Sequence, residues 1–340
     1  MSGKFSLLSE VCQVCGNDRW RPLFEVQDNN QGVSGTWHIL VCCNCGLGIL
    51  WPLPSNDEIA SYYLNGFYTL EGQRFNHFVE KARSLLAGLR GHTLRKLVAP
   101  GGKLLDFGAG SGHFGAAMEK NGYEVISIDL ASNKKYQTGN PYFSMKGDRP
   151  YLHFPDDSFD AVTLWYVIEH MRSPRKVLEE MRRVLRPGGV LLLAQQNFES
   201  FQARVFGPRW LLLDPPRHLY QFSPGNLIQM TKQIGFQYIT IRHGSLEMGP
   251  FTILQSTLNT LLRNENQLFR FFKNQALNYS DTEHGRKRHD WLMIMLSLVL
   301  STVLGPLSLV TYYILLAAAS GDVFTLYFRK CCEERTALGW

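Results

Sequence analysis

The chain has 340 residues, of which 45% are hydrophobic and 19% are charged, and its formal net charge is +6 at pH 7. This length and composition predict a globular protein of about two domains and exclude an intrinsically disordered chain. So mild a positive charge does not indicate a nucleic-acid partner, and the first twenty residues contain no apolar segment typical of a secretory signal.

Two cysteine pairs stand near the start of the sequence. Cys12 and Cys15 form one Cys-x-x-Cys pair, and Cys42 and Cys45 form the other. Four thiolates in two such turns match a tetrahedral structural zinc site that leaves no position open for catalysis. A redox-active pair is the alternative interpretation. We predict a zinc ribbon over residues 1–52, and its few basic residues argue against nucleic-acid binding.

Residues 53–100 are predicted to form a helical cap or linker. The stretch from Asn76 to Val98 is rich in helix-forming residues, and its apolar side chains recur at nearly helical spacing. A packing role for this helix is favoured over a contact with substrate. It leads into a core domain that we predict over residues 101–243.

The core domain begins with a glycine-rich turn. An apolar run ends at Asp106, and Gly108, Gly110 and Gly112 follow before a helical pattern starts near Phe114. Glycine tolerates positive φ and lets a ligand approach bare main chain, so this pattern predicts a strand, a turn and a helix around a nucleotide-like ligand. Spacing of this kind is weak evidence alone, because it also suits a turn without a ligand.

Further along, three features narrow the choice of ligand. A second apolar strand ends in Asp129, 23 residues after Asp106, where an acid is placed to accept hydrogen bonds from ribose hydroxyls. Asp148 follows a glycine, and a Pro-Gly-Gly turn at 187–189 precedes another apolar strand. Strands alternating with helical segments predict an α/β fold with a largely parallel sheet.

In these features the chain resembles class I S-adenosylmethionine (SAM)-dependent methyltransferases of the small-molecule type. The resemblance implies a Rossmann-like sheet of seven strands and S-adenosyl-L-methionine as the cofactor. It implies that Asp106 and the three glycines hold the methionine part of SAM, that Asp129 contacts the ribose, and that Asp148 contacts the adenine edge. The alternatives are a dinucleotide oxidoreductase and a fold that has lost its ligand.

Two histidines are candidate general bases. His170 follows the fourth strand of the predicted sheet, and His218 lies in an Arg-His-Leu-Tyr sequence after the fifth. An ordinary imidazole pKa of about 6.5 suits proton transfer at neutral pH. The alternative for His170 is a residue that shapes the pocket, and for His218 a residue that pins its loop.

The last strands of the core are separated by a long insertion. Strand six is predicted at 236–243 and the final strand at 322–332, so residues 244–321 form an insertion of amphipathic and apolar helices. Two uncharged apolar runs, joined at Gly305-Pro306, predict an apolar helical hairpin. Basic residues at 286–288 and 329–330 flank it, as at the cytoplasmic face of a membrane. The alternative is a buried hairpin at a homodimer interface.

Together these features predict an enzyme. We expect SAM-dependent methyl transfer to a small-molecule acceptor: a lipid, a lipid-linked sugar or an envelope-glycan precursor. The protein is expected in the cytoplasm, peripheral or monotopic at the inner face of the cell membrane. One alternative is a soluble sugar or metabolite methyltransferase in which the hairpin forms a dimer interface. The other is a non-catalytic scaffold that binds SAM.

Overall fold

The computed structural model describes residues 10–30, 33–64, 77–129, 143–146, 149–245, 248–262, 266–273 and 284–332. Asp148, the predicted adenine contact, lies outside these residues.

The N-terminal segment forms an antiparallel sheet that is joined to the core. Its strands are β1 (Trp20–Val26), β2 (Trp37–Cys42) and β3 (Gly48–Trp51). A fourth strand, β10 (Tyr220–Gln221), comes from the core and pairs with β3. The ribbon and the core therefore share backbone hydrogen bonds.

Three helices lead from the ribbon to the core: α1 (Asn56–Leu64), α2 (His77–Arg90) and α3 (Leu94–Leu97). The single helix predicted from Asn76 to Val98 is thus two helices, separated by a turn at residues 91–93. The turn begins at Gly91, a residue of low helix propensity, and Thr93 and Leu94 are buried there.

A six-stranded sheet forms the centre of the core, in the order β11-β12-β9-β8-β4-β5. Its strands are β4 (Lys103–Phe107), β5 (Glu124–Ile128), β8 (Phe159–Trp165), β9 (Leu185–Gln196), β11 (Phe236–His243) and β12 (Val323–Lys330). Four neighbouring strands of the sheet, β9, β8, β4 and β5, pair in parallel. Strand β12 is antiparallel to both of its neighbours, β9 and β11.

The helices that follow these strands cover both faces of the sheet. Neighbouring strand residues point to opposite faces, and Leu104 and Leu105 accordingly belong to two separate buried clusters. Because both faces are covered, the central strands β4 and β8 and the second half of β9 are mostly buried, whereas the edge strand β5 is partly exposed. The helices after α3 are α4 (His113–Glu119), α5 (Pro174–Val184), α6 (Phe201–Phe206), α7 (Pro224–Ile234), α8 (Gly249–Leu262), α9 (Gln267–Phe272) and α10 (His284–Ala317).

The prediction of a mixed α/β Rossmann-like sheet is confirmed, but the described residues place six strands in it rather than seven. The segment that follows β5 instead supplies β6 (Phe143–Lys146) and β7 (Arg149–Leu152), which pair with each other as a separate two-stranded sheet. Antiparallel pairing satisfies the backbone hydrogen-bonding groups on the facing sides of these two short strands.

The predicted hairpin of two apolar runs is wrong, because both runs belong to the single helix α10. Pro306 lies inside this helix. A proline in a helix removes one hydrogen bond and costs about 3 kcal/mol. Buried residues on both sides of it, Ile294 and Tyr312 among them, pack towards α8 and α9, and this packing outweighs the local cost.

The two basic residues after the insertion do not flank α10 either. Lys330 donates to the Asp157 carboxylate at 2.7 Å and to the Leu185 carbonyl at 2.6 Å. Arg329 donates to the Gly188 carbonyl at 3.3 Å. Both residues stand at the end of β12 that is far from α10.

Candidate functional site

The glycine turn leaves β4 beside a buried carboxylate. Asp106 is almost completely buried, and its Oδ1 accepts a hydrogen bond from Thr163 Oγ1 on the neighbouring strand at 2.8 Å. Burial raises the pKa of Asp106 to about 7, although the Thr163 hydrogen bond acts in the opposite direction. Among the described residues, no donor reaches its Oδ2. This buried oxygen suits a polar ligand that enters the turn.

The turn itself requires glycine. Gly108, Gly110 and Gly112 have φ of +80°, +56° and +74°, a region that costs other residues about 1–2 kcal/mol. A Cβ on Gly108 would also lie 2.3 Å from Val167 Cγ2. At Gly110, whose Cβ position faces open space, the amide donates to Asp129 Oδ2 at 2.5 Å. Asp129 therefore ties the tip of β5 to the turn.

Two adjacent cavities open at the carboxyl edge of the sheet, where α/β folds bind ligands. The smaller, of about 70 Å³, is lined by Arg90, Asp106, Gly108, Ala109, Gly110, Ser111, His113, Phe114, Trp165 and Tyr166. The larger, of about 230 Å³, is lined by Leu86, Leu89, Arg90, Thr93, Trp165, Tyr166, Arg242, His243, Gly244, Ser245, Thr325 and Tyr327. Three residues are common to both, so the cavities adjoin each other.

The shared wall consists of Arg90, Trp165 and Tyr166, to which the sequence assigned no functional role. The Arg90 guanidinium lies 5.5 Å from the centre of the Trp165 ring. Tyr166, directly after β8, has φ of +57°, a strained conformation for a non-glycine residue. Burial raises the pKa of Tyr166 to about 12, so its hydroxyl is neutral at pH 7. The only sequence signal for Tyr166 is its position at the end of a predicted central strand.

His170 and His218 lie together but outside the two sets of lining residues. Their ring centres are 4.7 Å apart. His170 Nδ1 is 2.9 Å from the Arg217 carbonyl, and His218 Nδ1 is 2.8 Å from the Leu212 carbonyl. Burial lowers the pKa of His170 to about 4, which makes it a weak base at pH 7. Their roles as general bases remain predictions.

A buried ion-pair cluster joins the ribbon to the core next to these histidines. The Arg217 guanidinium donates two hydrogen bonds to Asp28, at 2.8 and 3.0 Å, and two to Asp214, at 2.5 and 3.1 Å. Burial alone would raise the pKa of Asp214, but the charge and hydrogen bonds of Arg217 hold it below its ordinary value. Arg217 thus fixes the loop at Asp28 to the segment before β10.

Replacing Arg217 by methionine is expected to lower the free energy of unfolding by about 3–5 kcal/mol, because the buried carboxylate of Asp28 and the largely buried carboxylate of Asp214 lose their partner. Urea denaturation measures this loss. Arg186→Met is the matched control: Arg186 pairs with Asp160 but is 59% exposed, and surface pairs contribute about 0–1 kcal/mol. Equal losses in the two variants would show that the Arg217 cluster does not hold the ribbon to the core.

The four predicted zinc ligands come together. The Sγ atoms of Cys12 and Cys45 are 3.5 Å apart, and those of Cys15 and Cys42 are 3.6 Å apart. All four lie within 4.8 Å of one another. Four Zn–S bonds of about 2.3 Å in a tetrahedron require S–S distances near 3.8 Å, so the cluster fits zinc. Cys43, the intervening cysteine, is exposed.

Comparisons with known proteins find methyltransferases similar to the part of the chain that contains the glycine turn. Residues 76–241 match the family described as a methyltransferase domain. A demethylmenaquinone methyltransferase from Renibacterium salmoninarum is 36% identical over 112 residues, 32% of this chain and 45% of the relative. A malonyl-[acyl-carrier protein] O-methyltransferase from Serratia marcescens is 32% identical over 130 residues, 37% of this chain and 49% of the relative.

A third relative, a ubiquinone biosynthesis O-methyltransferase from Psychrobacter arcticus, is 29% identical over 152 residues, 40% of this chain and 59% of the relative. The chain therefore spans about half the length of the curated relatives it matches. Residues 76–241 include the glycine turn, β5 and every lining residue of the smaller cavity. The match over residues 76–241 identifies a methyltransferase domain in this part of the chain, and its fold and glycine turn agree with a class I SAM-dependent methyltransferase.

Proposed function

We propose that the protein is an enzyme that transfers the methyl group of SAM to a small-molecule acceptor at the cytoplasmic face of a membrane. The acceptor is a lipid, a lipid-linked sugar or an envelope-glycan precursor. The names of the three relatives, which concern menaquinone, ubiquinone and malonyl-acyl-carrier chemistry, support a small-molecule acceptor. The membrane face rests on the surface of α10.

The groups that line the smaller cavity suit the methionine part of SAM. When bound, SAM supplies a methyl group that its sulfonium has already activated. The turn offers main-chain amides, the unpartnered oxygen of Asp106 and the carboxylate of Asp129, which are groups that bind the amino-acid and ribose parts of such a ligand. Phe114 and Trp165, with ring centres 5.0 Å apart, exclude water from its inner wall. The acceptor would occupy the larger cavity.

The polarity of α10 is the reverse of that expected for a helix in a water-soluble protein. Ser297 and Ser308 are 1% and 4% exposed and face the protein, whereas Val299 and Val303 are 62% and 65% exposed. The exposed face carries further large apolar residues: Trp291, Leu292, Met295, Leu296, Leu307, Leu309, Val310, Tyr313 and Ile314. Apolar surface on this scale is typical of a contact with membrane or protein.

The position of α10 favours an in-plane rather than a spanning helix. Trp291–Ala317 is long and apolar enough to cross a membrane. Yet Ile294 and Tyr312, about 27 Å apart along the helix, are both buried against the rest of the protein. The strands before and after the insertion pair directly, with His243 opposite Phe324. If α10 crossed a bilayer, α8 would therefore enter the bilayer with it. If α10 lies in the membrane interface, the core of the protein stays in water.

The larger cavity lies beside the C-terminal part of α10. Gly244 and Ser245 line the cavity, and a Cβ on Gly244 would lie 2.6 Å from Tyr312 Oη and 2.7 Å from Leu316 Cδ1. Because the apolar face and the cavity share this corner, an acceptor anchored in a bilayer would reach the cavity without leaving the membrane.

Vesicle co-sedimentation tests the membrane contact. The wild-type protein is expected to sediment with vesicles that contain anionic phospholipid, and the triple variant Val299→Glu, Val303→Glu, Val310→Glu to bind at least about tenfold more weakly. The matched control is Leu23→Glu, Val205→Glu, two exposed apolar residues outside α10.

Two other outcomes distinguish the alternative functions. The first outcome is a wild-type protein that does not bind vesicles and is a dimer in solution, together with a triple variant that is a monomer. This outcome would establish a soluble enzyme with α10 at its dimer interface. Incubation of wild-type protein with methyl-labelled SAM and a membrane extract separates an enzyme from a scaffold. An enzyme transfers label to an extractable small molecule, whereas a scaffold binds SAM and transfers none.

A further inference from the structure

Three potential metal ligands meet at the edge of the sheet, outside the cysteine cluster. Glu169 and His170 lie in a 3₁₀ turn, Ile168–His170, that follows β8. His218 comes from the segment before β10. The carboxylate oxygen and one nitrogen of each imidazole all lie within 4.8 Å of one another. Glu169 is fully buried and His218 nearly so.

The hydrogen bonds of the two rings determine which nitrogens face the cluster. Each Nδ1 lies within 3 Å of a backbone carbonyl, which accepts only, so each Nδ1 carries a proton and donates it. In a neutral ring the Nε2 is then an acceptor. His170 Nε2 is 4.0 Å and His218 Nε2 is 3.9 Å from Glu169 Oε1. Two acceptor nitrogens therefore face a carboxylate.

One carboxylate oxygen of Glu169 is available to bind a cation. Glu169 Oε1 accepts a hydrogen bond from Gln196 Nε2 at 2.9 Å, while no donor among the described residues reaches the buried Oε2. An unsatisfied buried carboxylate oxygen costs free energy. A cation between the three groups would remove this cost and the repulsion between the acceptors.

We propose that Glu169, His170 and His218 bind a divalent transition-metal ion, separate from the zinc of the four cysteines. Two imidazoles and one carboxylate suit Mn²⁺, Fe²⁺, Co²⁺ or Zn²⁺ and leave coordination positions for water or substrate oxygen. Hydrogen bonds from each Nδ1 to a carbonyl are the usual outer contacts of metal-bound histidine. With metal–ligand bonds of about 2.1 Å, the N–O distances close by about half an ångström on binding.

The ion would also connect two parts of the chain. Arg217, whose carbonyl accepts the His170 hydrogen bond, forms the buried pair with Asp28 of the ribbon. Asp214 Oδ2 is 4.0 Å from His218 Nε2, so it lies at the rim of the site. A metal here would hold the turn after β8 against the segment that carries β10.

Metal stoichiometry tests the proposal on the full-length protein. After depletion and reloading with Co²⁺ followed by gel filtration, the wild type is expected to retain two ions per chain by elemental analysis. Glu169→Gln and His218→Gln should each retain one. His92→Gln, at an exposed histidine outside the cluster, should retain two. A wild type that retains one ion, or cluster variants that retain two, would overturn the proposal.

A spectroscopic measurement on the wild type guards against variants that fail to fold. Co²⁺ bound by thiolates gives an intense charge-transfer absorption that nitrogen and oxygen ligands lack. The first equivalent is expected to develop this absorption at the cysteine cluster, and the second to add only weak visible bands. A second equivalent that raises the thiolate absorption further, or that adds no bands, would refute a Glu-His-His site.

Discussion

Replacing Gly110 by leucine is expected to weaken SAM binding at least about 100-fold, or about 2.8 kcal/mol at 25 °C, while the protein remains folded. The Cβ of a residue at this position meets no atom within 4 Å, so the free protein accommodates it. The leucine side chain would extend into the cavity at the glycine turn and occupy the space of the ligand. Isothermal titration calorimetry with SAM measures the change.

Gly101→Leu is the matched control. Gly101 has φ of +87°, and a Cβ at this position would also meet no atom within 4 Å. Unlike Gly110, it does not line the cavity. Both variants carry the same left-handed strain of about 1–2 kcal/mol, so they should melt at similar temperatures. Only Gly110→Leu should lose affinity for SAM. Equal affinities in the two variants would show that SAM does not bind at this turn.

The strands and the cysteine cluster were predictable because their signals are local. An apolar run that ends in an acid and glycines identifies β4. The bounds of β11, 236–243, follow from a run rich in aromatic and β-branched residues. The cysteine cluster follows from spacing, since each Cys-x-x-Cys turn brings two thiolates close together. Such features need no knowledge of distant residues.

The cavities and α10 depend on contacts between distant residues and were not predictable. Arg90 lines both cavities because the end of α2 lies beside Trp165 at the end of β8, which no local pattern encodes. The break predicted at Gly305-Pro306 follows a valid local rule that packing against α8 overrides. His170 and His218 lie at the predicted edge, but the carbonyls that orient their rings belong to a segment whose path was unknown.

Loss of the predicted zinc is expected to have the largest effect on stability. Structural zinc contributes an apparent binding free energy of about 10–16 kcal/mol in small zinc domains, which exceeds the ~3–5 kcal/mol expected for the buried pairs of Arg217. Cys42→Ser should lose the cysteine-bound zinc and melt at a much lower temperature. Cys43→Ser makes the same chemical change at the exposed neighbour and should alter the free energy of unfolding by less than about 0.5 kcal/mol.

The loss should extend beyond the ribbon. Leu40 and Leu50 of the ribbon belong to the same buried cluster as Leu219 and Tyr220 of the core, and Asn226 at the start of α7 donates to the Cys45 carbonyl at 2.8 Å. Hydrogen exchange in Cys42→Ser is therefore expected to rise in β2 and β3 and also in β10 and the first turn of α7. Faster exchange confined to β2 and β3 would mean that the ribbon unfolds as a separate domain, and that the pairing of β3 with β10 contributes little to its stability.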